Sequence, residues 1–247
     1  MSAVTASLKT WVNAGLGFIY PEFCQLCGEN RAVPASGYVC AACRASVRFL
    51  EPPLCEHCGL PFEGAITSSF ECGNCKDQEL HFHSARSAVL PTERIMEAIH
   101  QYKYNRAIFF EPFLGGLLVE RASPELAGQP WDRIVPIPLH RAKLREREFN
   151  QAERLAACLS RATGIPLDNQ LVKRVLPTRT QTQLTRAERL ANVRKAFAVA
   201  EKIDLAGQNI VLVDDVLTTG ATTSACAKIL RQAGAGKVCV WTVARGT

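Results

Sequence analysis

Eight of the eleven cysteines in this 247-residue chain fall in four Cys-x-x-Cys pairs: Cys24/Cys27, Cys40/Cys43, Cys55/Cys58 and Cys72/Cys75. Twelve, eleven and thirteen residues separate successive pairs. Thiolates two residues apart sit on tight knuckles and can share one tetrahedral metal ion, so eight ligands make two structural Cys₄ zinc sites. A disulfide framework is the rival, and it would need a secreted chain. Residues 1–20 are mildly apolar, carry Lys9 as their one charge and offer no convincing cleavage site before Cys24. They read as a short helix packed on the body.

Residues 21–83 read as a double zinc ribbon. Its few large apolar residues (Leu26, Val39, Phe49, Leu54, Leu60, Phe62) need metal to hold them together. Gly28 and Gly59 each directly follow a pair, where a knuckle turn calls for positive φ. Spacing leaves two zinc pairings open: Cys24/Cys27 with Cys40/Cys43, or an interleaving of the two halves. His57 is expected to be exposed and not a ligand, and Cys158, Cys226 and Cys239 to be buried small hydrophobes.

The remaining stretch, 84–247, alternates helical and strand patterns. Helices are expected at 92–104, 107–121, 150–162 and 222–233, and strands at 133–135, 171–176, 209–216 and 237–245. A turn-rich piece is expected at 123–130, a polar stretch at 177–184 and a capping box at Thr185–Glu188. The order implies an α/β fold, a mostly parallel sheet with helices on both faces. No stretch reaches the roughly 18 apolar residues of a membrane span, and the chain is expected to be cytoplasmic.

The formal net charge of +6 is unevenly spread. Residues 20–83 hold four basic and eight acidic side chains, net −4, whereas residues 141–195 hold 13 basic and five acidic, net +8. A polyanion should be drawn to that basic lobe.

Four consecutive apolar residues, Ile210 to Val213, describe a strand buried on both faces and ending in two carboxylates, Asp214 and Asp215. The carboxyl end of such a strand is where open α/β sheets bind ligands. Thr218, Thr219, Gly220, Ala221 and Thr222 then form a small-residue loop feeding a helix. Free amides at the helix start and threonine hydroxyls cradle a phosphate. The aspartates suit sugar hydroxyls and a hydrated Mg²⁺. An acidic pair followed by a phosphate cup matches a ribose 5-phosphate. Arg141, Lys143, Arg145 and Arg147 supply four cations for a dense anion, though not all can face it.

The run Val213-Asp-Asp-Val-Leu-Thr-Thr-Gly-Ala-Thr222 resembles the loop with which type I phosphoribosyltransferases bind phosphoribosyl pyrophosphate (PRPP). With the cysteine pairs, Lys103-Tyr104, Val135-Pro-Ile-Pro-Leu139, Arg147-x-Phe149-Asn150-Gln151, Arg179-x-x-x-Gln183, Arg189-x-x-Asn192 and Ala196-Phe197, the chain is similar to the ComF family of competence-associated and GntX-like proteins. The resemblance covers roughly residues 21–247. It implies a phosphoribosyltransferase-like domain over 84–247, with Asp214 and Asp215 as catalytic residues that hold the ribose and organise Mg²⁺. It implies that Thr218 to Thr222 hold the 5-phosphate and that the segment after Val135 is the pyrophosphate loop. Residues 177–184 and the Thr185 helix would form a flap, with Arg179, Arg186 and Arg189 as its cations. One departure is plain: the family usually carries glycine before Phe-Asn-Gln, and this chain has Glu148.

Three functions are compatible. One is a PRPP-binding protein handling single-stranded DNA in competence, with other DNA-uptake proteins as partners. The second is a phosphoribosyltransferase acting on an unidentified acceptor. The third is a non-catalytic PRPP or nucleotide sensor.

Overall fold

The computed structural model describes residues 22–62, 64, 72–76, 79–176, 196–200 and 203–246. The helix expected over 1–20 lies outside the described residues. So do the polar stretch and capping box of 177–188 with Arg179, Arg186 and Arg189.

The body is built on a four-stranded parallel sheet of β1 (Ser84–Val89), β2 (Arg133–Pro136), β5 (Ile210–Leu217) and β6 (Val238–Arg245), in the order β1-β6-β5-β2. Two short strands, β3 (Val172–Arg174) and β4 (Phe197–Val199), pair antiparallel as a separate ribbon. The two-residue strand period sorts the core. Val211 and Val213 of β5 and Cys239, Trp241 and Val243 of β6 face one layer; Ile210, Leu212, Val238 and Val240 face the other. The first layer is covered by α3 (Glu93–Tyr104), α4 (Glu111–Leu126) and α6 (Gln151–Thr163). The second is covered by α7 (Ala221–Gln232), through Cys226, Ala227 and Leu230.

Two expectations need correction. β1 carried no strand signal, because Ser-Ala-Arg-Ser-Ala-Val has Val89 as its single β-branched residue and no aromatic residue to mark a strand. It is nonetheless a strand, paired to β6 on one side and to the cysteine module on the other. The turn expected at 123–130 is displaced, since α4 runs through Ser123 and Pro124 to Leu126. Leu126 is buried against the sheet, and that burial outweighs the proline's missing donor near the helix end.

The cysteine module, which carries the short helices α1 (Ala41–Ala45) and α2 (Gly73–Lys76), straddles β1. Cys24, Cys40 and Cys43 join the α3–α4–α6 core, while Cys55, Cys58, Cys72 and Cys75 join the α7 core. The Leu50 amide donates to the Ala88 carbonyl (2.9 Å), Leu90 to Arg48 (2.9 Å) and Ala85 to His57 (2.7 Å), so the module occupies the open edge of the sheet.

The pairing is sequential. Ligand atoms of Cys24, Cys27, Cys40 and Cys43 lie within 4.8 Å of one another, as do those of Cys55, Cys58, Cys72 and Cys75. Sulfur–sulfur distances of 3.9 Å (Cys27–Cys40), 3.8 Å (Cys55–Cys75) and 3.3 Å (Cys58–Cys72) bracket the ~3.8 Å edge of a tetrahedron with ~2.3 Å Zn–S bonds. The Cys40 amide points at Cys24 Sγ (3.3 Å) and the Cys43 amide at Cys40 Sγ (3.4 Å), which favours thiolates. Amides of Asn30 and Glu29 draw Cys27 down to about 6. The residues therefore fit two structural zinc ions. His57 is half-buried, not exposed, and its Nε2 donates to the Phe82 carbonyl at 2.8 Å. Cys226 and Cys239 are buried, whereas Cys158 is only partly so.

Elemental analysis should find two zinc ions per chain, and Cys24→Ser/Cys27→Ser should leave one, held by the Cys55–Cys75 set. Gly28 and Gly59 both have positive φ, 72° and 67°, but a Cβ on Gly28 meets nothing whereas one on Gly59 would lie 2.5 Å from the Ala85 carbonyl oxygen. Gly28→Ala should cost about 1–2 kcal/mol in urea unfolding, and Gly59→Ala distinctly more because β1 must also shift.

Candidate functional site

In the carboxyl-terminal half of β5, which continues past them to Leu217, Asp214 and Asp215 open into a cleft of about 320 Å³ that the loop Thr218–Thr222 and Thr223 also line. Gly220 sits at φ +83° as the first residue of the turn into α7. The first intrahelical bond runs from the Ser224 amide to the Gly220 carbonyl (2.8 Å). The amides of Thr222 and Thr223 precede it and have no intrahelical acceptor. The Thr219 hydroxyl accepts from the Ala221 amide (3.3 Å), and Arg245 at the end of β6 donates to the Leu217 (2.6 Å) and Thr218 carbonyls, which turns the loop's carbonyls away from its amides.

Asp215 is 3% exposed and ion-pairs through Oδ2 with Lys103 Nζ at 2.8 Å. Burial, followed by the adjacent Asp215 charge, pushes the Asp214 carboxyl up to about 8 against the pull of Lys103. Burial opposes the charge on Lys103, but Asp215 outweighs it and lifts the ammonium above its usual value. Lys103 is thus part of the site. Its place in α3, away from the other cations, hid it from a reading of charge runs.

The basic segment after β2 is corrected from a loop to a short helix, α5 (Arg141–Arg147), capped by the His140 side chain on the Ala142 amide. Helical spacing divides its cations. Lys143 and Arg147, four residues apart, line the cleft, whereas Arg141 and Arg145 are exposed and do not. Arg147 is 8% exposed, lies 4.6 Å over the Tyr104 ring and donates to Gln151 Oε1 at 3.0 Å. Asn150 caps α6 on the Ala152 amide and holds the Ile137 carbonyl at 3.1 Å. The Arg-x-Phe-Asn-Gln run therefore fixes the β2–α5 loop against the cleft. Burial, then the charges of Arg147 and Arg174, lowers Lys143. Arg174 of β3 lines the cleft too, stacked 5.3 Å over Phe197, another cation missed because it lies distant in sequence.

Glu148 is the left-handed residue (φ +66°) that ends α5. It ion-pairs with Arg106 at 2.9 Å, is exposed, and is not among the cleft residues, so it brings no anion into the site.

Removing Lys103 leaves Asp215 buried without its counter-charge. Lys103→Met should destabilise the fold by about 3 kcal/mol or more, and Lys103→Met/Asp215→Asn should recover most of that in chemical unfolding.

Comparison with known proteins adds the wider setting. A double zinc ribbon domain family matches residues 15–76. The chain is 31% identical over 226 residues to "Competence protein F" of Haemophilus influenzae, covering 90% of this chain and 96% of that protein. It is 32% identical over 228 residues to "DNA utilization protein YhgH" of Escherichia coli K12 (91% and 97%), and 27% identical over 206 residues to "Competence protein ComFC" of Bacillus subtilis (79% of each). Among solved structures, an adenine phosphoribosyltransferase aligns with a TM-score of 0.38 at 18% identity, over 57% of this chain and 75% of that one. The near-full-length identity to competence protein F, together with the ribbon match, shows that the chain belongs to the ComF family.

Proposed function

We propose that this protein binds phosphoribosyl pyrophosphate with Mg²⁺ in the β5–α7 cleft and acts in the uptake or processing of DNA. One observation carries the ligand reading. Two carboxylates face a cup of helix-start amides and threonine hydroxyls across a single cleft, with Lys143, Arg147 and Arg174 on its remaining side. In this reading the 5-phosphate takes the amides of 218–222, the ribose hydroxyls take Asp214 and Asp215, and the pyrophosphate takes Lys143 and Arg147.

The acids also suit a hydrated Mg²⁺. Asp214 is pushed up by its buried position beside Asp215, and a cation there would relieve that repulsion. Mg²⁺ would supply charge neutralisation for the pyrophosphate.

The DNA role rests on the relatives, a competence protein and a DNA utilization protein. It rests also on the net +8 of residues 141–195. The ribbon is a poor DNA surface, because residues 20–83 are net −4 and each Zn(Cys⁻)₄ centre adds more negative charge. Contact should therefore fall on the basic lobe and weaken steeply with salt.

Calorimetry with PRPP and Mg²⁺ should show binding by the wild-type chain. Asp214→Asn/Asp215→Asn should weaken it at least about tenfold, the worth of one charge-assisted hydrogen bond at about 1.5–3 kcal/mol. Unchanged affinity would remove the site assignment. Pyrophosphate release on adding nucleobases would extend the reading to a transferase, and intact ligand would keep the protein a binder or sensor.

A further inference from the structure

A second cleft, of about 530 Å³, adjoins the first, and Leu139 and Arg174 line both. Its walls carry Arg141 and Lys173, both exposed and neither in an ion pair among the described residues. His140 adds a donor: its Nδ1 accepts from the Ala142 amide at 3.3 Å, so the ring proton sits on Nε2. Among the described residues the one acid lining the cleft, Glu153, is already engaged by Asn169 Nδ2 at 2.7 Å. Leu144 and Val175, 41% and 52% exposed, line the same cleft.

Cations alone would suit any phosphate. Cations that share a cleft with exposed apolar side chains suit a chain that offers both phosphates and uncovered base faces. A single strand of nucleic acid does so, whereas a duplex keeps its base faces in its own stack. Resting on the DNA reading above, we infer that this second cleft seats a stretch of single-stranded DNA, with phosphates on Arg141 and Lys173 and base faces on Leu144 and Val175. Arg174, its plane set by the Phe197 ring, then contacts the ligands of both clefts. The strand is brought to the rim of the phosphoribosyl site, and the α5 cations excluded from that site gain a role through Arg141.

The test uses the full chain, fluorescein-labelled oligothymidine read by anisotropy across a salt series, and PRPP–Mg²⁺ calorimetry on the same preparations. Arg141→Ala/Lys173→Ala should weaken DNA binding at least about tenfold and flatten the log–log salt dependence by about one unit or more. PRPP affinity should stay within about twofold. Arg141→Glu/Lys173→Glu, on exposed positions that folding does not need, should deepen the DNA loss. Arg174→Ala should weaken both ligands. Wild-type DNA affinity and salt slope in the Arg141/Lys173 variants would overturn the cleft assignment while leaving the DNA reading in place. A wild-type chain that binds no oligothymidine at low salt would defeat both. An Arg174→Ala loss confined to one ligand would refute the shared contact.

Discussion

Two neighbouring carboxylates at the end of a strand buried on both faces set the central electrostatic demand of this molecule. Neither is well solvated, and each raises the cost of charging the other. The fold answers with one ammonium, Lys103, 2.8 Å from Asp215. That lysine stands in α3, whose Ile95, Ile99 and Tyr102 are buried against the sheet. The packing of α3 therefore positions the counter-charge of β5. Asp215 enters the cleft already paired to Lys103, whereas Asp214 is left raised beside it.

The zinc ribbon contributes to the same site from below. It closes the edge of β1, and its two halves supply one sulfur cluster to each face of the sheet. The chain leaving the second cluster then passes beneath the loop at the start of α7. Leu80 and Phe82 lie 3.4–3.5 Å from where a Cβ of Gly220 would stand, the His81 amide donates to Ser224 Oγ at 3.0 Å, and that hydroxyl donates to the Glu79 carbonyl at 3.4 Å. A residue with a side chain at position 220 would meet this floor as well as an unfavourable φ. The metal sites are structural, yet the segment they order is the support on which the loop before α7 rests.

How much of this was legible in the sequence depended on whether the signal was local. The β5–loop–α7 run, the cysteine pairs and the Asn150 and Gly164 ends of α6 are encoded in contiguous residues, and the structure reproduces these elements within a residue or so. β1 was hidden because a Ser/Ala-rich strand owes its conformation to partners on both sides and not to its own propensity. Zinc pairing was undecidable because four nearly equally spaced pairs permit either arrangement. Lys103, Arg174 and Arg245 were missed for one reason: Lys103 and Arg174 reach the cleft, and Arg245 the carbonyls of its loop, from three different elements that only the tertiary fold brings together.

The basic segment 141–147 illustrates how secondary structure turns composition into selectivity. As a loop, its four cations would have had similar access to the cleft. As a helix, it can offer only those spaced four apart, so Lys143 and Arg147 turn inward while Arg141 and Arg145 stay outside. The helix must then stop within two turns for Asn150 to cap α6, and stopping it so abruptly requires a left-handed residue, a position that favours glycine. Glu148 takes that conformation at a steric cost of about 1–2 kcal/mol, part of which its exposed pairing with Arg106 can offset. Backbone geometry at one residue thus lets the chain carry an acid next to the cations of the cleft without placing that acid in it.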